Sequence, residues 1–146
     1  MFKSILVPTD GSPLAEKVFG PAIETAKTHG GKIVGISVAR HYVRSGPTEG
    51  SAILDFSKDY ERESSRLARQ HVLKLADEAQ RHGVPCETVT PVSADPAGEI
   101  VAAAQKFGCD VIFIASHGRR GIDRIFLGSE TQRVLADSPV PVLVFR

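Results

Sequence analysis

The 146-residue sequence predicts an α/β protein: a doubly wound, five-stranded parallel sheet with helices on both faces, Rossmann-like in type. Three observations carry this expectation. Short apolar runs alternate with helical patterns from end to end, in the order β-α-β-α-β-α-β-α-β. The runs are nearly continuous in apolar residues, as strands buried on both faces must be. A glycine-rich turn follows the fourth run and leads into the last helix, which is where such sheets bind ligands. The length fits one domain, residues 1–146.

Taken in order, Ile5-Leu6-Val7 is the first strand, and Pro8-Thr9-Asp10-Gly11-Ser12 ends it. Ser12 is suited to cap the first helix, with Pro13 at its first position. Ala15, Val18, Phe19, Ala22, Ile23 and Ala26 then form one apolar helical face. Pro21 lies inside that pattern and is expected to bend it, and His29-Gly30-Gly31 ends it. Lys32 to Ala39 is the second strand. Arg40 to Ala52 has no periodicity and reads as a long loop. Asp55 to His82 is a long charged helix, with Phe56, Tyr60, Leu67, Val72, Leu75 and Ala79 on a broken apolar stripe and Gly83 as its stop. Its run Glu61, Arg62, Glu63, Arg66 and Arg69 reads as a solvated face of paired charges.

Cys86 to Val92 alternates and is the third strand. Asp95-Pro96 starts a helix that turns Ile100, Val101 and Ala104 inward and ends at Gly108. Val111 to Ala115 is the fourth strand. The last helix runs from Ser129 to Ala136, with Leu127, Val134 and Leu135 at near-helical spacing, and Val140 to Phe145 is the fifth strand.

Composition narrows the function. With 18 basic and 17 acidic residues the net charge is +1, which gives no footprint for general nucleic-acid binding. No apolar run is long enough to span a membrane, and the first residues lack the layout of a signal peptide. A soluble cytoplasmic protein is expected. Cys86 and Cys109 form no CxxC and read as small buried hydrophobes. There is no P-loop, no G-x-G-x-x-G after the first strand, and no histidine or cysteine cluster at metal-ligand spacing.

The chemistry concentrates in Ala115-Ser116-His117-Gly118-Arg119-Arg120-Gly121 and the following Gly128-Ser129-Glu130-Thr131. Glycines let a phosphate approach the backbone, and the amides of a helix start point at it. The stretch is a phosphate or nucleotide site before it is a catalyst.

Gly118, nine residues, then Gly128-Ser129 matches the latter part of the G-x-x-G-(nine residues)-G-S/T signature of ATP-binding universal stress proteins. The opening Ile5 to Ser12 and the closing Pro139 to Val144 also resemble that family, so the likeness runs end to end. It implies strand order 3-2-1-4-5. The chain then reverses between strands one and four, which sets Pro8-Thr9-Asp10 beside Ala115-Ser116-His117-Gly118. One position departs: the signature's first glycine falls at Ala115. If that methyl narrows the pocket, Ala115→Gly should strengthen ATP binding.

Two readings stand side by side at several residues. Asp10 is either a ribose or adenine ligand or the organiser of its own turn; the resemblance favours the ligand. His117 is a general base or a positioning group, and without a Ser or Cys nucleophile pattern the second is favoured. Arg119, next to Gly118, is the arginine expected to face phosphate, while Arg120 and Arg124 belong to a solvated loop as readily. Ser129 and Thr131 are caps or phosphate ligands. Val38 and Ala39 line an adenine pocket or belong to ordinary core. The candidate nucleotide-binding set is Pro8, Thr9, Asp10, Val38, Ala39, Ala115, His117, Gly118, Arg119, Gly128, Ser129, Glu130 and Thr131, with no catalytic residue and no protein ligand to a metal.

The resemblance implies an ATP-binding stress regulator, with Mg or Mn held through the phosphates and turnover slow or nil. A homodimer through Val140 to Phe145 is expected, since an apolar edge strand needs cover. The alternatives are a dimeric interaction module that binds no nucleotide, and a slow ATP hydrolase.

Overall fold

The computed structural model describes residues 1–41, 51–118 and 127–146, and for residues 51–55 the backbone alone. Its elements in order are β1 (Ser4–Pro8), α1 (Pro13–Lys17), α2 (Phe19–His29), β2 (Lys32–Ile36), β3 (Ala39–Arg40), α3 (Ser51–Arg81), β4 (Cys86–Val89), β5 (Val92–Ser93), α4 (Pro96–Lys106), β6 (Val111–Ala115), α5 (Ser129–Asp137) and β7 (Val142–Phe145).

Five strands form one parallel sheet in the order β4-β2-β1-β6-β7. In terms of the five expected strands this is 3-2-1-4-5, with the reversal between β1 and β6. Side-chain alternation splits the core into two layers. Ile5, Val7, Ile33, Val111, Phe113 and Ala115 face α1, α2 and α3, where they meet Val18, Phe19, Ala22, Leu75 and Ala79. Leu6, Val34, Ile36, Ile112 and Ile114 face α4 and α5, where they meet Ala97, Ile100, Ala104 and Val134. Ile5, Leu6 and Val7 are completely buried, and each such side chain contributes about 1.5–3 kcal/mol relative to its exposed state. Gly35 in β2 leaves room for α3: a Cβ there would stand 3.0 Å from Leu75 Cδ2.

The first helix is divided at Val18 into α1 and α2. Pro21 explains the division, because it has no amide to offer Lys17 and its ring crowds that carbonyl. Val18 instead donates to Ala15, an i−3 bond that tightens the turn.

Four expectations need correction. The second and third strands do not run to Ala39 and Val92. Both break, at Ser37-Val38 and Thr90-Pro91, and their far ends pair separately as a two-stranded sheet of β3 and β5. Pro91 has no amide for a continuing ladder, yet its carbonyl still accepts from Ala39 at 2.8 Å. The long helix starts at Ser51 rather than Asp55, and the first part of the expected apolar stripe is not core: Phe56 and Tyr60 are exposed, and the first buried residue among those described is Ala68. In α4, Ala103 is buried while Val101 is only half-buried. In α5, Leu135 faces solvent, and Thr131 and Val134 make the inward face. Most of the loop expected at Arg40 to Ala52 lies outside the described residues.

Among the described residues, no helix is long and apolar enough to cross a membrane.

Candidate nucleotide site

The carboxyl ends of β1 and β6 lie side by side, and the loops that leave them meet. After β1, Thr9 is buried, with its amide on the Ile36 carbonyl at 2.9 Å. Its hydroxyl accepts from the Gly11 amide at 3.2 Å, and Asp10 Oδ1 accepts from the Ser12 amide at 3.0 Å. Gly11 turns through φ +73°, a region open to glycine. Ser12 then caps α1 by accepting from Ala15, as the sequence suggested. The Asx bond expected of a turn-forming Asp10 is therefore present, and it leaves the carboxylate directed across the crevice. A Cβ at Gly118 would run into Asp10 Oδ2, so the two loops touch because residue 118 has no side chain.

After β6, the Ser116 amide donates to Phe145 at 2.7 Å and its carbonyl accepts from Gly128 at 2.8 Å. Gly128 is thereby folded back over the strand end, where a Cβ would stand 3.2 Å from His117 Cα. The Ser116 hydroxyl and His117 Nδ1 share a hydrogen bond of 3.1 Å, which fixes the ring.

Helix α5 begins at this point. Gly128 is its N-cap, and no side chain caps it. By contrast, α1 is capped by Ser12, and α4 by Asp95, which accepts from Gly98 at 3.2 Å. The first amides of α5, with the partial positive charge of the helix start, are thus presented beside Gly118 and Asp10.

The remaining candidates divide by role. Ser129 is exposed at this helix start. The Thr131 hydroxyl is buried and donates to the Ala115 carbonyl at 2.9 Å, clamping α5 to β6. Glu130 reaches away, accepting from the Ala97 amide at 3.0 Å. The Ala115 methyl belongs to the core layer under α1 and α2, not to the crevice. Pro8 is buried at the end of β1. Val38 is half-buried against the α4–α5 layer, and Ala39 is buried in β3. Arg119, with Arg120 and Arg124, lies outside the described residues.

One neighbour of the site was not visible in the sequence. His71, on α3, lays its imidazole against Gly11, and its Nδ1 shares a 3.4 Å hydrogen bond with the Ser37 hydroxyl. A lone histidine on a charged helix gives no local sign of such a contact.

Neither cysteine adds chemistry here. Both are free, and burial pushes the Cys86 thiol up to about 11, which keeps it protonated at neutral pH. Among the described residues, no group of three His, Cys, Asp or Glu side chains is placed to hold a metal ion.

The model of the universal stress protein family matches residues 1–146. The chain belongs to that family. A universal stress protein of Methanocaldococcus jannaschii is 33% identical over all of this chain and 83% of its own length. A second universal stress protein of that organism has a solved structure that is 26% identical; it superposes with a TM-score of 0.85, covering 99% of this chain and 96% of that one. A universal stress protein of Archaeoglobus fulgidus was solved in complex with dAMP; at 21% identity it shares the fold, with a TM-score of 0.66 over 98% of this chain and 97% of its own. Another family member, solved in complex with cAMP, is 22% identical with a TM-score of 0.70 over 99% and 97% of the two chains.

Proposed function

We propose that the crevice between β1 and β6 binds an adenine nucleotide, with ATP as the physiological ligand, and that the protein is a cytoplasmic regulator rather than a catalyst. The uncapped start of α5 beside Gly118 and Asp10 carries this reading. The phosphates would lie on the Ser129, Glu130 and Thr131 amides, with the Ser129 hydroxyl adding a contact. The Asp10 carboxylate would accept from ribose hydroxyls. Val38 would pack on the base. His117 would orient ligand rather than take a proton from a nucleophile, since the one hydroxyl bonded to its Nδ1, that of Ser116, is buried and not presented to a substrate. A divalent cation would be held by the phosphates, neutralising charge that the protein leaves unmatched. The cAMP and dAMP complexes of family members support the adenylate part of the reading.

The second element of the proposal is a homodimer formed by β7, the last strand of the sheet. The apolar sequence of β7, with Leu143 exposed, supports it.

Isothermal calorimetry of ligand-free protein with ATP and Mg²⁺ tests the first element. Saturable binding is expected. A flat titration favours the non-nucleotide interaction module, and stoichiometric ADP release during the titration favours the hydrolase.

A further inference from the structure

The contact between His71 and Gly11 links the outer helix to the heart of the proposed site. A Cβ at residue 11 would collide with Cδ2 and Nε2 of the ring, and the backbone there is in the left-handed region. A side chain at this position is therefore barred twice. The ring is itself held. Its Nδ1 meets the hydroxyl of Ser37, which is 3% exposed just beyond β2. Helix α3 is anchored next to it by Val72 and Leu75, both buried, and by the Lys74–Glu16 pair at 2.6 Å, which ties α3 to α1. From Gly11 the contacts continue to Asp10 through the Ser12 amide, and from Asp10 to Gly118.

We propose that His71 is a positioning residue of the nucleotide site. Its ring backs the Thr9–Ser12 turn from the α3 side and so aims the Asp10 carboxylate at the crevice. It acts through Gly11 and not on the ligand. The role in binding rests on the nucleotide reading above; the hold on the turn does not.

Amide hydrogen exchange followed by NMR tests the hold directly in the ligand-free protein. The Ser12 amide is the reporter, since it donates to Asp10. In His71→Ala, Ser12 should exchange about tenfold faster while Leu6 and Ile112 in the sheet keep their protection. His71→Phe, which restores ring volume under Gly11 without the Ser37 bond, should recover most of that protection. ATP affinity should fall about fivefold in the Ala variant, the weight of one hydrogen bond's net contribution, and less in the Phe variant. If His71→Ala loses Leu6 and Ile112 protection as well, His71→Gln takes its place under the same Ser12 criterion. Unchanged Ser12 exchange overturns the proposal. Faster Ser12 exchange with unchanged ATP affinity overturns the positioning role. A wild-type protein that binds no ATP overturns the nucleotide reading instead, and Ser12 exchange still decides whether His71 holds the turn.

Discussion

The carboxylate of Asp10 occupies the space that a side chain at Gly118 would need. The two residues lie just beyond the ends of different strands, 108 positions apart, so their contact exists only because β1 and β6 are neighbours. It brings a hydrogen-bond acceptor and an open stretch of backbone to the same point, beside the uncapped start of α5.

Gly118→Val should therefore displace Asp10 and fill the crevice. The expected loss of ATP affinity is about 2 kcal/mol, the scale of overpacking that pushes the Asp10 carboxylate out of place. The fold should survive, since Gly118 lies beyond the end of β6 and is exposed. Calorimetry and a thermal melt on the same sample check both halves. Wild-type affinity in this variant would move the site elsewhere.

Ala115→Gly separates core from crevice. From the sequence, the methyl was expected to narrow the pocket and its removal to tighten binding. The methyl packs in the layer formed with Ala15, Val7 and Phe113. Its removal should cost about 1 kcal/mol of stability, through the lost methyl and the added freedom of glycine in a strand. ATP affinity should stay near wild type. Tighter binding would restore the pocket reading.

The two hydroxyls of α5 should respond in opposite ways. Thr131→Val removes the donor to the buried Ala115 carbonyl and should destabilise the fold by about 1–2 kcal/mol. Ser129→Ala should leave the melting temperature unchanged, because Ser129 is exposed, and should weaken ATP binding. Chemical denaturation and calorimetry on the pair measure the contrast. Equal effects on stability would mean that Ser129 is a cap.

These contrasts mark what the sequence reveals and what it hides. Four of the five main strands were legible from their apolar runs and the third from its alternation, and the kink at Val18 because Pro21 cannot donate. The turn residues Asp10, Gly118 and Gly128 were legible because loop chemistry is local. The break at Thr90-Pro91 was not, since alternation continues through Val92 into β5. The exposure of Phe56, Tyr60 and Leu135 was hidden too. A helical stripe records which residues share a face, but not where the sheet beneath it stops. His71 and the clamp from Thr131 to Ala115 join distant segments, and no spacing rule encodes such contacts.

Asp95 gives a pH signature for α4. The Arg133 guanidinium at 2.6 Å, with help from the Gly98 amide, holds its carboxyl below the ordinary value of 3.8. A carboxyl depressed in the folded state stabilises the fold above its unfolded value, and that contribution disappears as pH falls through the folded value. Asp95→Asn keeps a cap acceptor and loses the charge. Its melting temperature should lie below wild type at neutral pH, and the two should converge in acid below about pH 4. A gap that persists in acid would assign the effect to the cap rather than to the charge.

The outer edge of β7, unpaired among the described residues, yields the last prediction. The sheet has two edges, and they differ. On β4, Glu87 is exposed and pairs with Lys32 at 2.6 Å, a charged border that discourages further strands. On β7, Val142-Leu143-Val144-Phe145 carries no charge, and Leu143 is 38% exposed. The ladder fixes which groups are available. The Ile112 amide donates to the Pro141 carbonyl and the Ser116 amide to the Phe145 carbonyl, so alternate residues 141, 143 and 145 turn their backbone toward β6. Val142 and Val144 therefore turn theirs outward. A second copy related by a two-fold axis can pair with that outward row, antiparallel, and cover Leu143. Sedimentation should give a species near twice 15.7 kDa. Val142→Pro removes an outward amide without touching the bonds to β6 and should yield a folded monomer. Leu143→Lys places a charge on the exposed position and should do the same with little change in melting, since the side chain is not part of either core layer. A wild-type monomer at high concentration would remove the dimer altogether. A dimer indifferent to both changes would move the interface to another surface.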